Sequence, residues 1–461
     1  IRQYQFYLAD HDAGTVKGWI QLDGDAAGQA VSYSIPELGL NETITADDQG
    51  RAALEFTADL DLWHPSNPKL YTVNISSGDD EITDTIGFRT IARDGKKILL
   101  NGEEIFLRGI SMHDESYLKS GVAFDEADAR EQLGLIKELN GNFVRLSHYP
   151  HNEYAVRVAD EIGLLVWSEI PIVSLIDWDN PETLAVAQTQ LRDNIHRDLN
   201  RASIIMWSIG NETMPQSQDR LDFLAELGRV AREEDVSGRL IAAALVGDVT
   251  KEFEEVGKRL AAQMINDPEV DAAAKAQMQA LLDHAGVDAA SVLEAEIEIM
   301  LNDRLGEVVD VIGYNEYFAW YYSSFLGPQF PVDEATVRRH MFDLMDDVRF
   351  RNVFGKPIII SEFGAGAKQG FRSEEALLWS EEYQAKVYEA QTSMLANSDY
   401  VQGMSPWILK DFRSALRNLN GIQDIYNRKG IVSETGQKKL AFYVLQNHYA
   451  ARVQAERDGD E

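Results

Sequence analysis

Two glutamates 150 positions apart, Glu212 and Glu362, each close a strongly apolar run, Ser203 to Asn211 ahead of the first and Pro357 to Ser361 ahead of the second. Desolvating a carboxyl at the end of a buried strand costs free energy, so its placement there points to chemistry. Two carboxyls facing one cleft suit glycosidic bond cleavage, which needs a proton donor and a nucleophile or base. Other reactive or aromatic residues fall at the ends of neighbouring apolar runs. They are His113-Asp114, Arg145, His148-Tyr149-Pro150, Trp167-Ser168-Glu169, Asn315, Tyr317 and Trp407. Singly, Arg145 reads as the partner of a buried acid and Trp167 as core. Jointly they describe a sugar cleft, in which aromatic faces stack on pyranose rings and polar groups read the hydroxyls.

A scaffold must bring these positions to one face. The apolar runs 105–113, 141–148, 164–171, 204–212, 240–246, 309–317, 357–365 and 401–409 read as eight strands, with helical stretches such as Glu126–Glu138 and Glu381–Leu395 between them. Eight strand–helix units predict an α/β fold, a (β/α)8 TIM barrel over 93–455, with its active site at the C-terminal strand ends. Glu212 then ends strand four and Glu362 strand seven. Residues 1–92 alternate polar and apolar in short runs (Thr15 to Leu22, Ala30 to Ile35, Ala52 to Phe56, Lys69 to Ile75), the pattern of an immunoglobulin-like antiparallel β-sandwich. The acidic segment at about 248–303 exceeds a normal crossover and reads as two or three amphipathic helices near the mouth. It is a lid, a dimer contact, a specificity wall or a tolerated surface insertion, and a homo-oligomer stays open.

Composition narrows the partners. Among 461 residues, 76 acids against 43 bases give a net charge of −33, which disfavours nucleic acid, whose phosphates need a basic surface. High-salt adaptation and an ordinary acidic protein both account for that charge. No run of roughly 18 apolar residues suggests a membrane span, and Ile1 to Phe6 carries no signal-peptide pattern. A soluble protein, cytoplasmic or periplasmic, is expected. Cysteine is absent, which excludes disulfides and thiolate metal sites.

Four segments in order, Gly102 with Phe106 to Gly109, Val144 to Pro150, Trp207 to Glu212 and Ile360 to Gly364, closely resemble glycoside hydrolase family 2, that of β-galactosidases, β-glucuronidases and β-mannosidases. The resemblance spans the whole chain and implies an immunoglobulin-like module followed by a catalytic barrel. The family's additional N-terminal jelly-roll domain has no counterpart in these residues. By position, Asn211-Glu212 matches the acid/base motif and Glu362 the nucleophile. Tyr317 matches a tyrosine near the nucleophile, and Asn211 a contact to the sugar 2-hydroxyl. The resemblance therefore implies retaining hydrolysis, with carboxyls about 5–5.5 Å apart. Glu169 matches one position of the magnesium site of the large β-galactosidases, but Ile170-Pro171-Ile172 follows without a histidine. No metal and no cofactor are expected.

Asp114, Arg145, His148, Asn211, Asn315, Tyr317, Trp407, Asn427 and Lys429 are the expected carbohydrate-binding residues. Tyr426 to Gly430 resembles the Asn-x-Lys motif with which β-glucuronidases hold a uronate carboxylate, a task suited to a cation and an amide. A β-glucuronidase is favoured over a β-galactosidase on that motif. The contrasting class is a non-catalytic carbohydrate-binding relative, against which the retention of both glutamates argues. An endo-acting barrel glycosidase is a further alternative, disfavoured by the N-terminal module and the His148-Tyr149-Pro150 segment.

Overall fold

The computed structural model describes residues 1–119, 121–245, 247 and 249–459. Its N-terminal part packs two antiparallel sheets face to face. One has the order Gln3–Asp10, Thr15–Gln21, Arg51–Thr57, and the other Leu40–Thr45, Ala30–Ile35, Tyr71–Ser77, Asp80–Ile86. Period-two alternation creates the layer between them. Arg51–Thr57 buries every second residue, and Phe6, Val16, Ile20, Val31, Tyr33, Leu54, Val73 and Ile86 meet in one core. Leu40–Thr45 and Asp80–Ile86 were not legible as strands. Both lie at the edges of their sheet and are mostly polar, so neither shows a buried face in its sequence.

The eight expected barrel strands are all present. Strand one is split into Leu107–Arg108 and Ser111–Met112. The others are Phe143–Leu146, Leu165–Glu169, Ile204–Met214, Leu240–Leu245, Val311–Asn315, Ile358–Glu362 and Val401–Met404. Every neighbour pair is parallel. The two halves of strand one close the ring: Leu107 pairs with Gly403 of strand eight, and Ser111 with Arg145 of strand two. Capping residues start the helices between strands. The Asp125 carboxylate accepts the Asp128 N–H ahead of Glu126–Glu138, and the Ser380 hydroxyl accepts the Tyr383 N–H ahead of Glu381–Ala396.

Buried contacts fix the sandwich to the barrel. Trp63 Nε1 donates to the Asp160 carbonyl at 2.8 Å, Asn200 Nδ2 donates to the Tyr4 carbonyl at 2.9 Å, and Arg201 pairs with both Asp84 and Asp160. The segment after strand five forms three helices, Val249–Asn266, Ala272–Ala285 and Ala289–Glu294. A strand, Ile297–Leu301, follows them and pairs in parallel with Val348–Asn352. Val246 and Asp248, at the edges of the expected strand and insertion, lie outside the described residues. Among the described residues no helix is long and apolar enough to cross a membrane.

Candidate active site

Parallel strands carry their C-terminal ends to one mouth, and the two glutamates meet there. Strands six and seven are neighbours, and Asn315 pairs in register with Glu362. Glu362 receives hydrogen bonds on both oxygens: Arg145 Nη1 donates to Oε1 at 3.0 Å, and the Tyr317 hydroxyl to Oε2 at 2.7 Å. Asn315 Nδ2 donates to Glu212 Oε1 at 2.9 Å and to Asn211 Oδ1 at 3.1 Å, while its Oδ1 accepts Ser361 Oγ at 2.7 Å. Gly313 makes the Ser361 contact possible, since a Cβ there would lie 2.9 Å from Ser361 Oγ and 2.7 Å from the Trp167 ring.

Arg145, without exposed surface, ties the two halves together. It donates to Glu362, to Asn211 Oδ1 at 2.7 Å and to the Ser361 carbonyl at 2.9 Å, and forms a close pair with Glu169. Burial opposes its charge, but Glu169 and Glu362 outweigh it and raise its pKa. Burial likewise works against the Glu169 carboxylate, yet Arg145 and His148 pull it down to about 2. Glu169 is therefore the counter-charge that allows an arginine to sit in the barrel. His148 Nδ1 lies 3.0 Å from Glu169 and its Nε2 3.6 Å from Glu362, and its ring stacks on Trp407 at 4.9 Å.

Glu212 has different partners from Glu362. Burial first, and then the Glu362 charge, raise its pKa, against the opposing pull of the Asn315 hydrogen bond. Its backbone has φ of 50°, in the left-handed region that a residue with a Cβ rarely occupies. Strain of that kind persists where the surroundings hold a side chain in one required direction.

A second cluster adjoins the first. Lys429, 4% exposed, donates from Nζ to the Tyr321 hydroxyl at 2.6 Å and lies 5.4 Å from the Tyr317 ring centre. Asn427 Oδ1 accepts the Lys429 backbone N–H at 3.1 Å. Both line a cavity of about 280 Å³ with Trp320, Tyr321, Trp379 and Arg417. Lys429 is thus a buried cation facing a cavity. A separate cavity of about 780 Å³ lies elsewhere, against His64, Phe106, Arg108 and Arg452 near the N-terminal strand ends, and is lined by none of these residues.

Of the expected site residues, Arg145, His148, Asn211, Glu212, Asn315, Tyr317, Glu362 and Trp407 form one connected group, and Asn427 and Lys429 its extension. Asp114 stands apart from the hydrogen-bonded group. Its Oδ2 accepts the Asn152 backbone N–H at 3.2 Å, which braces the loop after strand two. Trp167 is core, fully buried beneath the Arg145 guanidinium. Sequence reasoning missed Tyr321, Arg417, Trp320 and Trp379. Their signal was weak, since Arg417 lies in a polar loop, and Trp320 and Tyr321 follow strand six and Trp379 strand seven without periodicity.

This arrangement defines a class: a closed parallel barrel with two unlike carboxyls and a buried arginine at its C-terminal mouth. Residues 91–454 match the Glycosyl hydrolases family 2, TIM barrel domain, and the chain belongs to that family. It is similar to the β-glucuronidase of Paenibacillus borealis, 25% identical over 461 residues, covering 94% of this chain and 66% of that protein. Mus musculus β-glucuronidase is 25% identical over 460 residues, with 95% and 60% covered. A β-galactosidase of Arthrobacter sp. (strain B7) is 34% identical over 202 residues, 42% of this chain and 20% of that one. The chain thus spans two thirds or less of these relatives' lengths. Among solved structures, Ruminococcus gnavus β-glucuronidase superposes with a TM-score of 0.72 at 22% identity, covering 97% of this chain and 68% of that one. The Eisenbergiella tayi β-galacturonidase bound to galacturonate gives 0.72 at 23%, with 97% and 71% covered. At such identities the likeness speaks for the fold.

Proposed function

We propose that this chain carries the catalytic barrel of a retaining exo-β-glycosidase acting on terminal β-linked sugars, with β-glucuronides favoured. Residues 1–92 are read as its immunoglobulin-like module and 93–455 as the barrel, with the insertion at about 248–303. One observation carries the catalytic reading: the mouth holds two carboxyls in opposite settings. Glu362 receives hydrogen bonds from Arg145 and Tyr317, suiting a nucleophile. Glu212 is driven toward its protonated form by burial and by Glu362, suiting a general acid.

Glu362 then attacks the anomeric carbon as Glu212 protonates the leaving oxygen. With the leaving group gone, the ionised Glu212 takes a proton from water, which cleaves the glycosyl-enzyme. Asn315 orients Glu212, Asn211 meets the sugar 2-hydroxyl, and Trp407 with His148 forms an aromatic wall. Asn427 and Lys429 support a uronate because a desolvated cation in a sugar-sized recess favours a carboxylate over a hydroxymethyl group. The names of the Paenibacillus and mouse relatives, both β-glucuronidases, favour the same substrate. The second reading, a β-galactosidase, is favoured by the higher local identity of the Arthrobacter relative.

Hydrolysis of p-nitrophenyl β-glucuronide and β-galactoside by the parent and by Glu362→Gln tests both. Turnover by the parent and none by a folded Glu362→Gln variant supports the catalytic reading, and the preferred glycoside decides the substrate. Full activity of the variant would remove Glu362 as nucleophile.

A further inference from the structure

A third buried acid lies behind the two carboxyls. Glu316 sits between Asn315, which holds Glu212, and Tyr317, which holds Glu362, and has no exposed surface. Its backbone N–H donates to the Glu362 carbonyl at 3.0 Å, so strands six and seven meet at this residue. Oε2 accepts the Phe318 N–H at 3.0 Å and Gln391 Nε2 at 3.1 Å, the latter from the helix Glu381–Ala396. Glu316 Oε1 and Gln391 Oε1 both lack a hydrogen bond among the described residues. The contact between these two side chains is one donor short, and a proton on Glu316 supplies it.

The surrounding charges agree. From the insertion helix Val249–Asn266 the group that faces Glu316 is another acid, Glu252, which accepts the hydroxyls of Tyr314 at 2.6 Å and Tyr322 at 3.0 Å. From the strand-six side and the short Tyr321–Leu326 helix come those two phenols, and from Glu381–Ala396 the neutral amide of Gln391. An ionised carboxyl is disfavoured in that setting, and such groups neutralise instead. Burial is the main influence pushing the Glu316 pKa up to about 8. The Phe318 and Gln391 hydrogen bonds oppose that rise, and Glu252 adds to it.

We propose that Glu316, as a neutral carboxylic acid, is the positioning residue that fastens the Asn315–Tyr317 segment to the Glu381–Ala396 helix and so keeps Glu212 and Glu362 in register. The catalytic half of this inference rests on the glycosidase reading above. The protonation half does not.

The test compares the parent with Glu316→Gln and Glu316→Ala between pH 5 and pH 8, reading kcat, KM and thermal midpoint. Glu316→Gln supplies an uncharged donor of the same shape and retains kcat near the parent value at pH 6. Glu316→Ala releases the segment and lowers kcat, on the order of a hundredfold, with little change in KM. Because the folded-state pKa is raised, the folded parent holds a proton that the unfolded chain releases above about 4.5. Parent stability therefore falls as pH rises toward about 8, a loss Glu316→Gln escapes. The gap in midpoint, variant minus parent, should widen from pH 5 to pH 8.

A pH-independent gap overturns the proposal, as does a Glu316→Gln variant that loses as much kcat as Glu316→Ala. So does a Glu316→Ala variant with the parent's kcat. If Glu316→Ala fails to fold, the Glu316→Gln comparison still decides. If the parent turns over neither p-nitrophenyl glycoside, the catalytic reading fails while the midpoint gap still decides the protonation of Glu316.

Discussion

Lys429 and Tyr321 meet with the ammonium nitrogen 2.6 Å from the phenol oxygen, and Arg417 Nη2 reaches the same oxygen at 3.2 Å. Two cations thus converge on one hydroxyl at the wall of the recess beside Glu362. Burial alone would raise the Tyr321 pKa, but Lys429 and Arg417 reverse this and lower it. Burial lowers that of Lys429 against the opposing pull of Tyr321. A substrate carboxylate entering the recess would offer Lys429 a full negative charge in place of a phenol dipole.

Lys429→Met tests this directly. A hydrogen bond to a charged group contributes roughly 1.5–3 kcal/mol, so kcat/KM for p-nitrophenyl β-glucuronide should fall about tenfold to a hundredfold. Galactoside turnover by the same variant should change little. Equal losses on both substrates would make Lys429 a structural residue.

Tyr317→Phe removes the hydroxyl that donates to Glu362 Oε2 at 2.7 Å. That bond is charge-assisted, and its loss is expected to lower kcat by about tenfold or more while the fold persists. Steady-state kinetics with circular dichroism as a folding control would check it. Unchanged kcat would show that Arg145 alone positions the nucleophile.

Glu212→Gln should separate substrates by leaving group. General acid catalysis contributes roughly 10²–10⁴-fold, and it matters most for a poor leaving group such as an alkyl alcohol. p-Nitrophenolate departs without a proton, so formation of the glycosyl-enzyme from its glycoside should survive, leaving a burst followed by slow turnover. Stopped-flow absorbance would show that burst. Equal slowing of the first step for alkyl and nitrophenyl glycosides would argue against Glu212 as the acid.

The carboxyl environments also predict pH behaviour. Glu212 must be protonated to act as acid, and its raised pKa extends the active range upward, so kcat/KM should fall on the alkaline side as Glu212 ionises. Replacing Glu362 by Gln removes the charge that helps raise Glu212, and the midpoint of the Glu212 carboxyl, followed by infrared titration, should drop. Glu169 acts in the opposite sense. Its folded-state value is held down at about 2 against 4.5 for a free glutamate, so its stabilisation is fully present above 4.5 and lost as pH falls toward 2. Acid unfolding of Glu169→Gln should show a shallower dependence over that window. An unchanged slope would mean that Glu169 contributes no linkage.

The repeating strand–helix rhythm was legible because each barrel strand is apolar on both faces, and buried parallel strands leave continuous runs in a sequence. Glu212 and Glu362 stood out because each ends such a run. The helical stretches Glu126–Glu138 and Glu381–Leu395 were also legible, and the helices found are Glu126–Glu138 and Glu381–Ala396, each started by a capping residue. Edge strands such as Asp80–Ile86 were not, because half-solvated polar residues carry no burial pattern. Asp114 reads as a cleft residue by its position after strand one, and in the fold one of its carboxylate oxygens, Oδ2, accepts the Asn152 backbone N–H.

The sequence by itself determined the barrel, the preceding β-rich module, the pair of glutamates and the resemblance to one family. These depend on local burial and on residue types at short spacing. Which residues complete the site was decided by tertiary structure. Arg145 meets Glu169 and Glu362 across 24 and 217 positions of chain, Glu316 meets Gln391 across 75, and Lys429 meets Tyr321 across 108. Such contacts leave no trace in local periodicity. They form only when closure of the barrel brings the ends of separate strands to one mouth, where burial makes each charge depend on its neighbours.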